Sequence, residues 1–149
     1  MSVSTFTAAK KICFIGDWGV TNLKLQKILY LAHMIYLGRF KKPLIDETFE
    51  AWDYGPVLPS LYQKVKMFGS GPIEDIFYNS RLIDSGEEAS VLQEAAKFLI
   101  PKTAGELVAM THWPQGAWAN TYEKGIKGSV ITNEKILEEY NARIQPARQ

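Results

Sequence analysis

Apolar residues recur at helical spacing through most of the chain. Leu25, Ile28, Leu29, Ala32, Ile35 and Tyr36 fall on one face at i, i+3, i+4 and i+7. Tyr30, Met34 and Leu37 fill the opposite face. A helix that is apolar nearly all round belongs at the centre of a fold, covered on several sides. It is expected to start at a Thr21 or Asn22 cap, to run to about Leu37 and to stop at Gly38. An earlier helix, capped by Ser4 or Thr5 and reaching about Asp17, presents Ala8, Ile12 and Ile15 before "GDWGVT" breaks it.

The period then changes. Ile45, Glu47, Phe49 and Ala51 alternate with Asp46, Thr48, Glu50 and Trp52, which fits a short strand or an extended segment with two unlike faces. Pro56 holds Gly55 out of the right-handed helical region. Pro59 suits the first turn of a helix, where its missing N–H costs nothing. That helix is expected to run to about Phe68 with Leu61, Tyr62, Val65 and Phe68 inward, ended by "GSGP". Residues 73–86 fit a loop, a short helix or a partner strand. A further helix spans Glu87 to about Ile100, stopped by Pro101. Thr103 and Glu106 in "TAGE" form a capping box for a helix ending at His112. "WPQGAWANTYEKG" carries another turn or two. A last helix capped by Thr132 or Asn133 holds Ile136, Leu137 and Tyr140, and the end "ARIQPARQ" is expected to fray. No repeat, linker or low-complexity segment interrupts this pattern. The expectation is one mainly α domain over residues 1–149, with a central buried helix and at most a small strand pair.

Length and composition agree. A chain of 149 residues fits a single domain, which buries about 70% of its unfolded surface without disulfide or metal. The 46% hydrophobic and 22% charged residues are ordinary for a soluble protein. A net charge of +1 argues against duplex DNA or an anionic membrane as the main partner. The small basic cluster of Arg39, Lys41 and Lys42 reads as a solvated loop end. The single cysteine, Cys13, forms no intramolecular disulfide, and no signal peptide is visible, so a reducing cytoplasm is expected. The most apolar run, Ile28 to Leu37, is too short to cross a bilayer.

Catalytic chemistry is sparse. His33 lies on the core helix and reads as a satisfied buried histidine. His112 sits at a helix end, where its ring can meet free carbonyls. Cys13 reads as a small buried apolar residue. No ligand spacing suggests a metal, and no phosphate loop or nucleophile elbow suggests a cofactor or a catalytic residue. Asp46, Glu47, Glu50 and Asp53 read as a solvated face. Aromatic residues beside glycine and proline are more prominent. Trp52 and Tyr54 precede Gly55-Pro56, and Trp113 and Trp118 flank Pro114 and Gly116. Rings fixed by stiff turns make low-entropy contact surfaces; they equally fill a core beneath loops. In "WDYGPVLPSLY" the Gly55-Pro56 corner is expected to be braced from both sides by Tyr54 and Tyr62.

Leu25-Gln26-Lys27 with Leu29-Tyr30, then Trp52, Tyr54-Gly55-Pro56-Val57, Leu61-Tyr62, Thr111-His112 and Trp118 keep an order and spacing that resembles the Panacea domain family, which includes SocA-type antitoxins and phage-associated GepA-like proteins. The resemblance covers about Thr21 to Ile73 and Thr103 to about Tyr140. It implies a compact, mainly α-helical domain that neutralises a protein toxin by direct binding. Because these aromatic clusters are the family's clearest signature, Trp52, Asp53, Tyr54, Gly55, Pro56 and Tyr62, with Thr111, His112, Trp113 and Trp118, are expected to form part of the toxin-facing surface; the alternative is a purely structural corner. SocA-type members also present the toxin to an ATP-dependent protease; no motif here encodes that role. Two other readings stay open. One is a phage-derived protein that binds a host factor or protease without a toxin. The other is an enzyme or nucleic-acid binder, which would need Asp53, Tyr54 and His112 in one polar cleft, or steep salt dependence.

Overall fold

The computed structural model describes residues 2–145. Seven helices and a small sheet make up the fold: α1 (Thr5–Ile15), α2 (Asn22–Phe40), β1 (Phe49–Trp52), β2 (Gly55–Val57), α3 (Pro59–Val65), α4 (Gly86–Leu99), α5 (Ala104–Thr111), α6 (Ala117–Thr121), β3 (Ser129–Ile131) and α7 (Asn133–Ile144), with a 3-10 turn at Lys66–Phe68 after α3. The mainly α architecture expected from the periodicity is present.

Helix α2 is the central element. It packs against α1, α4, α5, α7 and β2, and fourteen of its residues from Asn22 to Gly38 are buried. Thr21 caps it by accepting from the Lys24 N–H at 3.4 Å. Gly38 does not end it. The ring of Tyr140 on α7 lies so close that a Cβ at Gly38 would come within 2.2 Å of it. This glycine therefore serves helix–helix packing, and α2 continues to Phe40. Lys41, in the left-handed conformation at φ 58°, closes the helix with its N–H on the Leu37 carbonyl at 2.9 Å. Helix α1 is capped by Ser4 and ends at Ile15, two residues earlier than its apolar pattern suggests.

The sheet has three strands in the order β2-β1-β3, both pairs antiparallel. The expected strand pair thus gains a third member, Ser129–Ile131, whose polar and glycine-rich approach masked it. Residues 73–85 form no strand or helix and pack as an irregular cover, burying Ile73, Phe77 and Ile83. The alternation before the corner holds at its end: Phe49 and Ala51 are buried while Glu50 and Trp52 are half-buried. The Thr103–Glu106 capping box is formed in both directions, at 2.8 and 3.1 Å. Thr132 caps α7. Of the end expected to fray, Ala142 to Ile144 are helical, and 146–149 lie outside the described residues.

Two buried polar groups tie the helices together. His33 is fully buried. Its Nδ1 accepts from the Ile45 N–H at 3.2 Å and its Nε2 is 2.8 Å from Asn133 Oδ1, which fixes the neutral Nε2–H tautomer. Burial holds its pKa below the ordinary histidine value, against the Asn133 hydrogen bond. This is the satisfied core histidine the sequence suggests. Glu139 of α7 is also buried. It accepts from the Tyr30 hydroxyl at 2.6 Å, the Ala117 N–H at 2.9 Å and Arg143 Nε at 2.7 Å. A buried carboxylate met by three donors, one of them cationic, is compensated for its lost water. Cys13 is fully buried, and burial followed by the charge of Asp75 pushes its thiol up to about 12.

Candidate functional site

The β1–β2 hairpin turns at Asp53-Tyr54 and enters α3 through Gly55-Val57 and Leu58. Gly55 has φ +118°, a conformation that side chains rarely adopt. A Cβ there would also meet Lys27 Cε at 2.9 Å and Thr111 Oγ1 at 3.0 Å. The corner is therefore a contact point of α2, α5 and the hairpin, and two independent constraints demand glycine. Lys27 and Gln26 of α2 close the outer edge of β2: Lys27 Nζ donates to the Pro56 carbonyl at 3.1 Å, and Gln26 Oε1 accepts from the Leu58 N–H at 2.8 Å. Unpaired strand edges are thus satisfied by side chains.

Aromatic rings support the hairpin from one side. His112, Trp118 and Tyr122 form a continuous stack, with centroids 3.8 Å apart for the first pair and 4.6 Å for the second. Trp118 Nε1 donates to the Trp52 carbonyl at 2.7 Å, and the Tyr122 hydroxyl donates to Asp53. Burial, then the nearby charge of Lys27, lowers the His112 pKa, while a hydrogen bond with the Tyr54 main chain opposes the shift. On the other side, Tyr62 meets Trp52 edge to face at 4.9 Å. Tyr62 therefore braces the corner. Tyr54 does not: its side chain is 71% exposed at the tip.

A groove of about 970 Å³ opens beside this hairpin. Leu23, Trp52, Tyr54, Val57, Tyr62 and Ile126 give it apolar walls, and Lys27, Lys66, Lys124 and Lys127 also line it. Lys127 Nζ lies 4.1 Å over the Trp52 ring. Of the residues singled out from sequence, Trp52, Asp53, Tyr54 and Tyr62 line the groove. Gly55, Pro56 and Thr111 are buried behind it. His112 and Trp118 act as its support. Trp113 lies apart, its ring 4.7 Å beneath the Arg143 guanidinium. The Thr111–Trp118 segment is thus mainly a buttress and the hairpin the presented part.

Sequence reasoning missed Lys66, Lys124, Lys127 and Tyr122, and named Lys27 only within the Leu25-Gln26-Lys27 pattern. Single lysines on separate elements carry no local pattern, and only the tertiary fold gathers residues 23–27, 52–70 and 122–127. Of the carboxylates read as a solvated face, Asp46, Glu47 and Asp53 are exposed and Glu50 is half-buried; Glu47 and Glu50, like Asp53, also make side-chain hydrogen bonds. Glu47 accepts from Thr5 and Ser60, each at 2.5 Å, and Glu50 accepts from the Trp52 indole at 3.0 Å. Arg39 and Lys42, expected at a solvated loop end, reach Glu94 and Glu87 of α4. Among the described residues, no cluster of three or more His, Cys, Asp or Glu is placed to hold a metal ion. No helix among them is long and apolar enough to cross a membrane.

Antitoxin SocA of Caulobacter vibrioides is 32% identical over 112 residues, covering 68% of this chain and 60% of that protein, so the chain spans less than two thirds of its curated relative. No solved structure matches. Residues 25–119 match the family described as antitoxin SocA-like, Panacea domain, a span that includes α2 from Leu25 onward, the hairpin and Trp118 but not Lys124 or Lys127. A match over that much of the chain, with a relative at this identity, shows that the chain belongs to the SocA-like antitoxin family carrying the Panacea domain.

Proposed function

We propose that this chain is an antitoxin that neutralises a protein toxin by binding it directly, as one domain acting in the cytoplasm. The observation that supports the reading is the Tyr54 tip. An exposed ring stands on a hairpin held by the Trp118 hydrogen bond, the Asp53–Tyr122 contact and the Gly55 corner. A rigid exposed aromatic loses little entropy on binding, and such residues dominate interface energetics. Trp52 and the apolar groove walls extend that surface, in the direction of the roughly 800 Å² per partner that a stable complex uses.

The test is co-expression with the protein encoded beside this chain. That protein alone arrests growth, and the wild-type chain restores it. Tyr54→Ala loses much of the protection while its melting temperature stays within about 2 °C of wild type, because an exposed side chain contributes little to the fold. A harmless neighbour, or full protection by Tyr54→Ala, counts against the reading. Toxin lifetime separates blocking from delivery to an ATP-dependent protease: delivery shortens it, and blocking leaves it unchanged.

A further inference from the structure

We propose that the groove beside the hairpin holds an acidic segment of the protein partner, anchored by an apolar side chain, with one carboxylate seated on Lys27. The proposal rests on the antitoxin reading and names the chemistry of that partner.

Charge distribution supports it first. The whole chain carries a net charge of only +1. Around the groove, Lys66, Lys124 and Lys127 form no ion pair among the described residues. The one carboxylate lining the groove, Asp53, is engaged by Tyr122. Four lysines thus line the same groove as the apolar walls, with one carboxylate that is already engaged, and this combination suits a chain segment alternating acidic and apolar residues.

Lys27 is the second, independent observation. Its side chain is 1% exposed, lines the groove and donates to one acceptor, the Pro56 carbonyl. An ammonium has three donors, and the other two meet no acceptor among the described residues. Burial lowers its pKa to about 7. A carboxylate arriving from the groove supplies the missing acceptor and the counter-charge together.

The aliphatic lining and the covered Trp52 favour a peptide over a nucleic acid, the exposed Tyr54 ring being open to either. Single-stranded nucleic acids are held by bases stacked on open aromatic faces. Trp52 offers none freely: Lys127 covers one face, and Tyr62 packs edge to face against the ring. Leu23, Val57 and Ile126 instead offer seats for aliphatic side chains.

The experiment is fluorescence anisotropy on the full chain, with a fluorescein-labelled decapeptide in which Glu and Asp alternate with Leu. Controls are the same peptide with lysine at every acidic position and a decathymidylate. The acidic peptide binds, more tightly at low salt, and the lysine peptide does not. The triple variant Lys66→Glu, Lys124→Glu, Lys127→Glu weakens binding by about tenfold or more at unchanged melting temperature. Lys27→Met, which keeps the side-chain volume, weakens it by about tenfold as well. No binding of the acidic peptide, equal binding by the triple variant, or tighter binding of the thymidylate overturns the proposal. Equal binding by Lys27→Met overturns the seat on Lys27. The co-expression assay keeps the two readings separable. A triple variant that protects like wild type sinks the groove proposal and leaves the antitoxin reading standing. A wild-type chain that fails to protect yet binds the acidic peptide through these lysines sinks the antitoxin reading alone.

Discussion

The indole N–H of Trp118 donates to the main-chain carbonyl of Trp52 at 2.7 Å, joining residues 66 positions apart. Trp52 already pairs with Gly55 across the turn; the indole takes the second lone pair of that carbonyl and ties α6 to the hairpin. The indole is held in place by His112 on one side and Tyr122 on the other. Trp118→Phe keeps most of the stacking and removes only the donor. The expected loss is about 1 kcal/mol, the net contribution of one hydrogen bond, since the carbonyl keeps its pairing with Gly55. Urea unfolding followed by circular dichroism checks this, and a variant as stable as wild type shows that water replaces the indole.

Gly55→Ala tests the corner itself. The new methyl group meets Lys27 and Thr111 while the backbone is held at φ +118°, so relief in one place does not remove the other strain. The variant is expected to lose about 2 kcal/mol or more. Gly125→Ala, at φ +85° with nothing within 4 Å, carries only the backbone cost and is the control. If the two variants lose equal stability, the contact with Lys27 and Thr111 is soft and the corner is set by backbone conformation alone.

The elements most legible in the sequence are those whose cause is local. Helix α2 is apolar all round because it is covered all round. Thr103 and Glu106 announce their capping box because both partners lie within one turn. Gly38 is the instructive failure. A glycine near the end of an apolar run reads as a stop, and only the distant Tyr140 ring shows that it is a packing site. The same separation in sequence hid Glu139, which joins Tyr30, Ala117 and Arg143, and the strand Ser129–Ile131, which pairs with Phe49–Ala51. At the candidate site the hairpin aromatics stood out beside glycine and proline. The lysines did not, since a lysine in a helix or loop looks alike whether it faces open water or a groove.

Acid should weaken the fold through His33. In the unfolded chain this histidine takes a proton near its ordinary value of 6.5, and in the folded protein burial holds the pKa lower. Its contribution is fully present above pH 6.5, where both states are neutral. As pH falls below 6.5 the unfolded state binds the proton first, and stability drops until the folded pKa is passed. His112 shifts in the same direction and adds to the slope. His33→Asn retains an acceptor for the Ile45 N–H and cannot titrate. Its unfolding midpoint should therefore change less between pH 7 and 5 than that of wild type, whatever its starting stability. Identical slopes mean that His33 is protonated in place, with its partners rearranged.

Alkali should act in the opposite way on most buried acids, which makes Lys27 separable from them. Its pKa is about 7 in the folded protein against an ordinary lysine value of 10.5. Between these values the unfolded state binds more protons, so stability rises with pH from about 7 upward. The limiting slope for one proton is about 1.4 kcal/mol per pH unit. Cys13, raised from 9.0 to about 12, pulls the other way only above pH 9. The window from pH 7 to 9 therefore reports mainly on Lys27. Lys27→Met should flatten the profile there and be more stable than wild type at pH 7, because no ammonium is left to desolvate. Parallel profiles would mean that water entering from the groove already solvates the amine. A rising profile that becomes flat when the acidic decapeptide is bound would locate the counter-charge on Lys27, since a carboxylate seated there returns the folded pKa toward its unfolded value and removes the difference in bound protons on which the slope depends.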